Sequence, residues 1–118
     1  MWHIFTDGSK SEQGVGSGVA VFTGKVLTEQ LEFKLDSRCS NNLAEQLAIV
    51  KALDVIESQQ ENQNEHRTTV IYTVSEITLH SIRSAKNHNH LVEEIRNRAV
   101  TLNKKNWKIE FKWVKAHA

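Results

Sequence analysis

Apolar and polar positions change period several times along the chain, and each change marks an element. Residues 2–6 read as a strand, and residues 14–22 as a second whose small side chains suit a place where another backbone passes close. After Gly24 and Lys25, the residues Leu27, Leu31, Phe33 and Leu35 recur at even spacing against Thr28, Gln30, Glu32 and Lys34. That alternation predicts a third strand with one apolar face. Three consecutive strands joined by short turns predict an antiparallel meander.

Beyond Ser40, Asn41 and Asn42, which carry helix-capping chemistry, the period becomes helical. Leu43, Leu47 and Val50, with Ile49, Leu53 and Ile56, predict a helix over 43–57. A polar loop follows, then residues 69–74, a nearly continuous β-branched and aromatic run that suits a buried central strand. Ser75 is placed to cap a short helix through Arg83, and residues 87–90 break the chain. Leu91, Val92, Ile95, Ala99 and Leu102 mark another helix ending near Asn103. The last strand alternates Trp107, Ile109, Phe111 and Trp113 against Lys108, Glu110 and Lys112. The predicted order is βββ-α-β-α-α-β. A helix between the meander and the fourth strand lets that strand lie parallel to the first, so the expected class is α/β, a mixed five-stranded sheet with packed helices.

Length and composition narrow the reading. The chain has 118 residues, the size of one ordinary domain, so a single unit over 1–118 is expected. No apolar run approaches the roughly 20 residues that span a bilayer, and the N-terminus lacks the basic-then-apolar pattern of a signal peptide. With Cys39 as the single cysteine, a reducing intracellular setting, cytoplasmic or nuclear, is expected, with no membrane partner. The net charge of +1 conceals an asymmetry. Residues 1–58 carry five Lys/Arg against eight Asp/Glu, whereas 59–118 carry ten against six. A basic C-terminal half could attract a polyanion while carboxylates in the first half hold cations; a solvated helix face and edge strand explain the same charges.

Two of those carboxylates stand out. Asp7 comes at the end of the first predicted strand, before Gly8, and Glu45 in the first turn of the long helix, three residues after Asn42. Taken singly, Asp7 with Gly8 reads as a turn and Glu45 as a capping carboxylate. Taken together, they could converge on a hard divalent cation, the chemistry of metal-assisted phosphodiester hydrolysis.

Five segments in order, Thr6-Asp7-Gly8-Ser9, residues 14–22, Ser40 to Glu45, residues 70–75 and Trp113 to His117, resemble the successive motifs of ribonuclease H type 1. The likeness spans nearly the whole chain and is nearest in flavour to the ribonuclease H domains of insect non-LTR retrotransposons. The resemblance implies the ribonuclease H-like fold and a metal-dependent endonuclease that cuts the RNA strand of RNA/DNA hybrids with four acidic residues and Mg²⁺ or Mn²⁺. It puts Asp7 and Glu45 in the first two acidic positions, as catalytic residues and metal ligands. It makes Asn41 and Asn42 the pair that reads the hybrid's minor groove, Ser9 and Ser75 further substrate contacts, and His117 the family's mobile histidine. An exposed terminal histidine is the plain alternative for His117.

Two departures oppose ordinary activity. Where the family reads Thr-Asp-Ser, this chain has Thr73, Val74 and Ser75, so an isopropyl group replaces a carboxylate and ligates nothing. The fourth acidic residue of the family lies on a helix beyond the His117 motif, and no counterpart is present through Ala118. Glu76 adjoins Val74, but successive side chains at a strand-to-helix junction point differently. Three readings follow: a hybrid-binding domain of retrotransposon origin with impaired or no catalysis and a weak or partial metal site; an active ribonuclease H; and a co-opted protein-protein interaction module. The missing helix further predicts a bare sheet face through which a homodimer could form.

Overall fold

The computed structural model describes residues 2–59, 67–84, 86 and 89–115. The elements run β1 (Trp2–Ser11), β2 (Gly14–Thr23), β3 (Val26–Leu35), α1 (Asn41–Glu57), β4 (Arg67–Thr73), α2 (Glu76–Arg83), α3 (His90–Lys104) and β5 (Trp107–Trp113). The five strands form one sheet in the order β3-β2-β1-β4-β5. Strands β1, β2 and β3 pair antiparallel, and β4 lies parallel to both β1 and β5. The expected order and sheet type are those observed.

Three details differ from the sequence reading. Strand β1 does not stop at Thr6 but continues to Ser11, because β2 goes on pairing with it after β4 has ended at the Thr6–Thr73 pair. Asp7 therefore sits within a strand, not in a turn. In β3 the even spacing fails at its start: Val21 pairs with Glu29 but Phe22 with Leu27, so Thr28 is bulged out. Its hydroxyl donates to the Val21 carbonyl at 3.2 Å. A bulge reverses the facing of everything before it, so Leu27 shares the face of its partner Phe22 instead of that of Leu31. Finally, α1 begins at Asn41, with the Ser40 hydroxyl accepting from the Leu43 N–H. Glu45 lies past the first turn and caps nothing.

Helix α1 is nearly buried along its length because it lies between the sheet and α3. Ala44, Ala48 and Ala52, four apart and fully buried, let its backbone come down close on β1 and β2. Ile49, Leu53 and Ile56 then fill the core with Ile4, Val19, Val21, Ile71, Ile95, Leu102 and Trp107. Arginines fasten the outer helices. Arg96 donates to the Ser81, Ile82 and Ser84 carbonyls at the end of α2, and Arg98 joins Asp54 and Glu57 of α1. Asn106 takes a left-handed φ of 69° where α3 turns into β5, a conformation asparagine tolerates well.

On the opposite face of the sheet the aromatic rings meet one another. Phe5 stacks on Tyr72 with centroids 4.5 Å apart and meets Phe22 edge-on at 5.6 Å. His3 Nδ1 lies 2.8 Å from the Tyr72 hydroxyl. Phe5 remains 38% exposed.

Candidate active site

The site forms where the parallel pairing of β1 and β4 runs out. Thr6 and Thr73 are the last register partners, so the next residues, Asp7 and Val74, emerge side by side at the carboxyl ends of adjacent strands. This is the usual place for ligands in sheets with parallel neighbours. Asp7 is exposed, while Val74 is half-buried. Both line a shallow groove of about 420 Å³ with Phe5, Ala20 and Val114, and Asp7 also borders a neighbouring groove of about 570 Å³ that includes Ser9, Gly16 and Lys34.

Glu45 enters from α1. It is 2% exposed, and burial pushes its carboxyl up to about 7, with the charge of Asp7 adding to the rise; the Gly8 N–H and the Thr73 hydroxyl, both bonded to it, work in the opposite direction. One of its oxygens, Oε2, is buried with no hydrogen-bond partner. A buried carboxylate oxygen left without a donor beside a second carboxylate is costly, and either a proton or a cation would relieve it. Two carboxylates suit one hard divalent ion that keeps most of its water. They do not suit two ions, and among the described residues no group of three or more Asp, Glu, His or Cys gathers that could hold a metal.

The remaining candidates divide. Asn41 and Asn42 are exposed on the first turn of α1, one helical turn before Glu45, at the same end of the sheet. Ser9 is exposed on β1 opposite Gly16. Ser75 has its hydroxyl engaged as the cap of α2, accepting from the Thr78 N–H at 3.1 Å. Glu76 is exposed in the first turn of α2. His117 lies outside the described residues. The Val74 side is closed off by backbone pairing, with the Val114 N–H bonded to the Thr73 carbonyl at 2.9 Å and the Trp113 ring N–H to the Val74 carbonyl at 3.1 Å.

Sequence reasoning missed Gly8 as a packing position, Ser17 and Thr73. For Gly8 and Ser17 the signal was present: a glycine in a strand interior marks a close backbone approach, and Ser17 interrupts an inward-facing row of valines.

The family model for RNase H matches residues 1–118. The chain belongs to the ribonuclease H family. Among solved structures, this ribonuclease H domain is similar to RNase H1 from the halophilic archaeon Halobacterium salinarum, with TM-score 0.73 and 18% identity over 98% of this chain and 86% of that one. LC11-RNase H1 in complex with an RNA/DNA hybrid gives TM-score 0.77 and 16% identity, covering 98% and 86%. The N-terminal RNase H domain of a Mycobacterium tuberculosis protein gives 0.74 and 19%, covering 98% and 82%. At these identities the likeness is one of fold. No curated protein matches the chain by sequence. No described helix is long and apolar enough to cross a membrane.

Proposed function

We propose that this ribonuclease H domain binds RNA/DNA hybrids, holds at most one Mg²⁺ or Mn²⁺ ion at Asp7 and Glu45, and cleaves poorly or not at all. The observation that carries the reading is Val74 standing beside Asp7, where the family pattern has a third carboxylate. An ion bound here would polarise a phosphodiester oxygen; Asp7 and Glu45 would hold it, Thr73 and Gly8 would keep Glu45 in place, and Asn41, Asn42 and Ser9 would meet the substrate. Hybrid binding is supported by family membership and by the hybrid-bound relative. An origin among insect non-LTR retrotransposons is supported by the sequence motifs and the short connection between α2 and α3.

Part of the expected basic surface is spent internally, since Arg96 and Arg98 bind carbonyls and carboxylates of this chain. Lys104 and Lys105 sit at the end of α3, just before β5 begins and about 20 Å along that strand from the end where Asp7 and Val74 emerge. Lys112, near that end, is the better placed phosphate contact.

The test is incubation of the purified chain with an RNA/DNA hybrid in Mg²⁺ or Mn²⁺. Salt-sensitive binding with little cleavage supports the reading. Robust metal-dependent cutting that Asp7→Asn abolishes would establish an active ribonuclease H instead. Absent hybrid binding at low salt would favour an interaction module. The open face with Phe5, Phe22 and Tyr72 supports a second reading, self-association of two copies through that face. Sedimentation at roughly 50 µM should then show a dimer that dissociates on dilution, and a monomer at every concentration would refute it.

A further inference from the structure

Glu45 is delivered to the site by a helix, so its placement depends on what the helix rests on. The inward-facing row of β2 reads Val15, Ser17, Val19, Val21, all buried. One hydroxyl in that row requires a partner, and the Ser17 hydroxyl donates to the Ala44 carbonyl at 2.7 Å. Ser17 is the register partner of Gly8 on β1. A Cβ on Gly8 would lie 2.5 Å from the Glu45 nitrogen and 2.6 Å from the Ala44 carbonyl carbon, so the α1 backbone at these two residues sits directly on the glycine. The Gly8 N–H in turn bonds the Glu45 carboxylate.

We propose that Ser17 is a positioning residue for Glu45: with Gly8 it forms a two-strand seat that fixes where the Glu45 carboxylate stands relative to Asp7. Gly8 sets how close the helix comes, and Ser17, bonding the residue before Glu45 from the neighbouring strand, sets how far along the sheet it sits. Packing of the alanine stripe alone would resist lifting of the helix but not sliding along the strands, whereas a directional hydrogen bond resists both. The functional meaning of the seat rests on the ion site proposed above; its geometry does not.

The Gly8 amide proton reports the geometry without metal, since its resonance depends on the bond to the Glu45 carboxylate. In ¹H–¹⁵N spectra of the metal-free chain, Ser17→Ala should move the Gly8 resonance upfield by more than any amide of α3, and Ser17→Thr, which keeps the hydroxyl, should restore it. Leu102→Ala, a core truncation on α3, should lower the melting temperature and leave Gly8 in place. Mn²⁺ should bind the Ser17→Ala chain about three- to tenfold more weakly, the scale of one net hydrogen bond. A Ser17→Ala chain that melts earlier but keeps the Gly8 resonance of the unaltered protein would overturn the proposal. Failure of the unaltered chain to bind Mn²⁺ would remove the ion site, while the Gly8 resonance would still decide whether the seat exists.

Discussion

The two sides of the candidate site are built to different standards. On the α1 side, the helix backbone rests on Gly8 and takes a hydrogen bond from Ser17 at the Ala44 carbonyl, and the Glu45 carboxyl, bonded by the Gly8 N–H and by Thr73 reaching across from β4, stays buried and proton-hungry at about 7 with one oxygen unpartnered. On the β4 side, the strand ends in Val74, and the neighbouring backbone is closed by hydrogen bonds from Val114 and Trp113. On the first side a proton or a cation would relieve the unpartnered oxygen; on the second the side chain that emerges beside Asp7 is apolar. The same end of the sheet thus carries a buried, closely supported carboxyl on one side and an apolar side chain on the other.

The largest effect should come from filling the α1 seat. Gly8→Ala forces a Cβ into the Ala44 and Glu45 backbone, and a loss of about 3 kcal/mol in urea unfolding is expected. A loss below about 1 kcal/mol, the range of an ordinary glycine substitution, would mean that the helix does not rest on this glycine.

Next comes the strain on Glu45. Its folded value, about 7, lies above the ordinary 4.5, so the native state holds the proton more tightly than the unfolded chain does. The stability this contributes is present in full below pH 4.5 and is lost as pH rises through about 7. In metal-free buffer, Glu45→Gln should therefore stabilise the protein by about 2 kcal/mol at pH 8 and by little at pH 4.5. An equal effect at both pH values would show that the carboxyl is not strained.

The β4 side is tested by restoring what it lacks. Val74→Asp should raise Mn²⁺ affinity by about tenfold in calorimetric titration, because a third carboxylate joins Asp7 and Glu45. Unchanged affinity would mean that position 74 does not face the ion. The smallest effect concerns charge remote from both sides: Lys104→Glu with Lys105→Glu should change the melting temperature little, since exposed charges contribute little to stability. Hybrid affinity should fall less with that pair than with Lys112→Glu alone.

The order of elements, the parallel entry of β4, the cap at Ser75 and the capping segment 40–42, though not which of its residues caps, were legible because periodicity and cap chemistry are local signals. The Leu27 reversal was not, since the bulge depends on how β3 meets β2 and the alternation of apolar residues looks unbroken across it. The run past Asp7 was hidden for a similar reason: a strand continues as long as one neighbour pairs with it, and the sequence of β1 does not say that β2 outlasts β4. Asp7, Glu45 and Val74 were singled out through the motif, and the structure places Asp7 and Val74 at adjacent strand ends. Their unequal environments were not, because the burial of Glu45 comes from a helix seated on a glycine 37 positions earlier in the chain.

The proposed state of this ribonuclease H domain is one cation position, at Asp7 and Glu45, and none beside Val74. Anomalous diffraction from crystals soaked in Mn²⁺ addresses it directly. One partly occupied ion bound by Asp7 and Glu45, with no density beside Val74, is the predicted result; two fully occupied ions about 4 Å apart, the spacing of a working two-metal site, would contradict it.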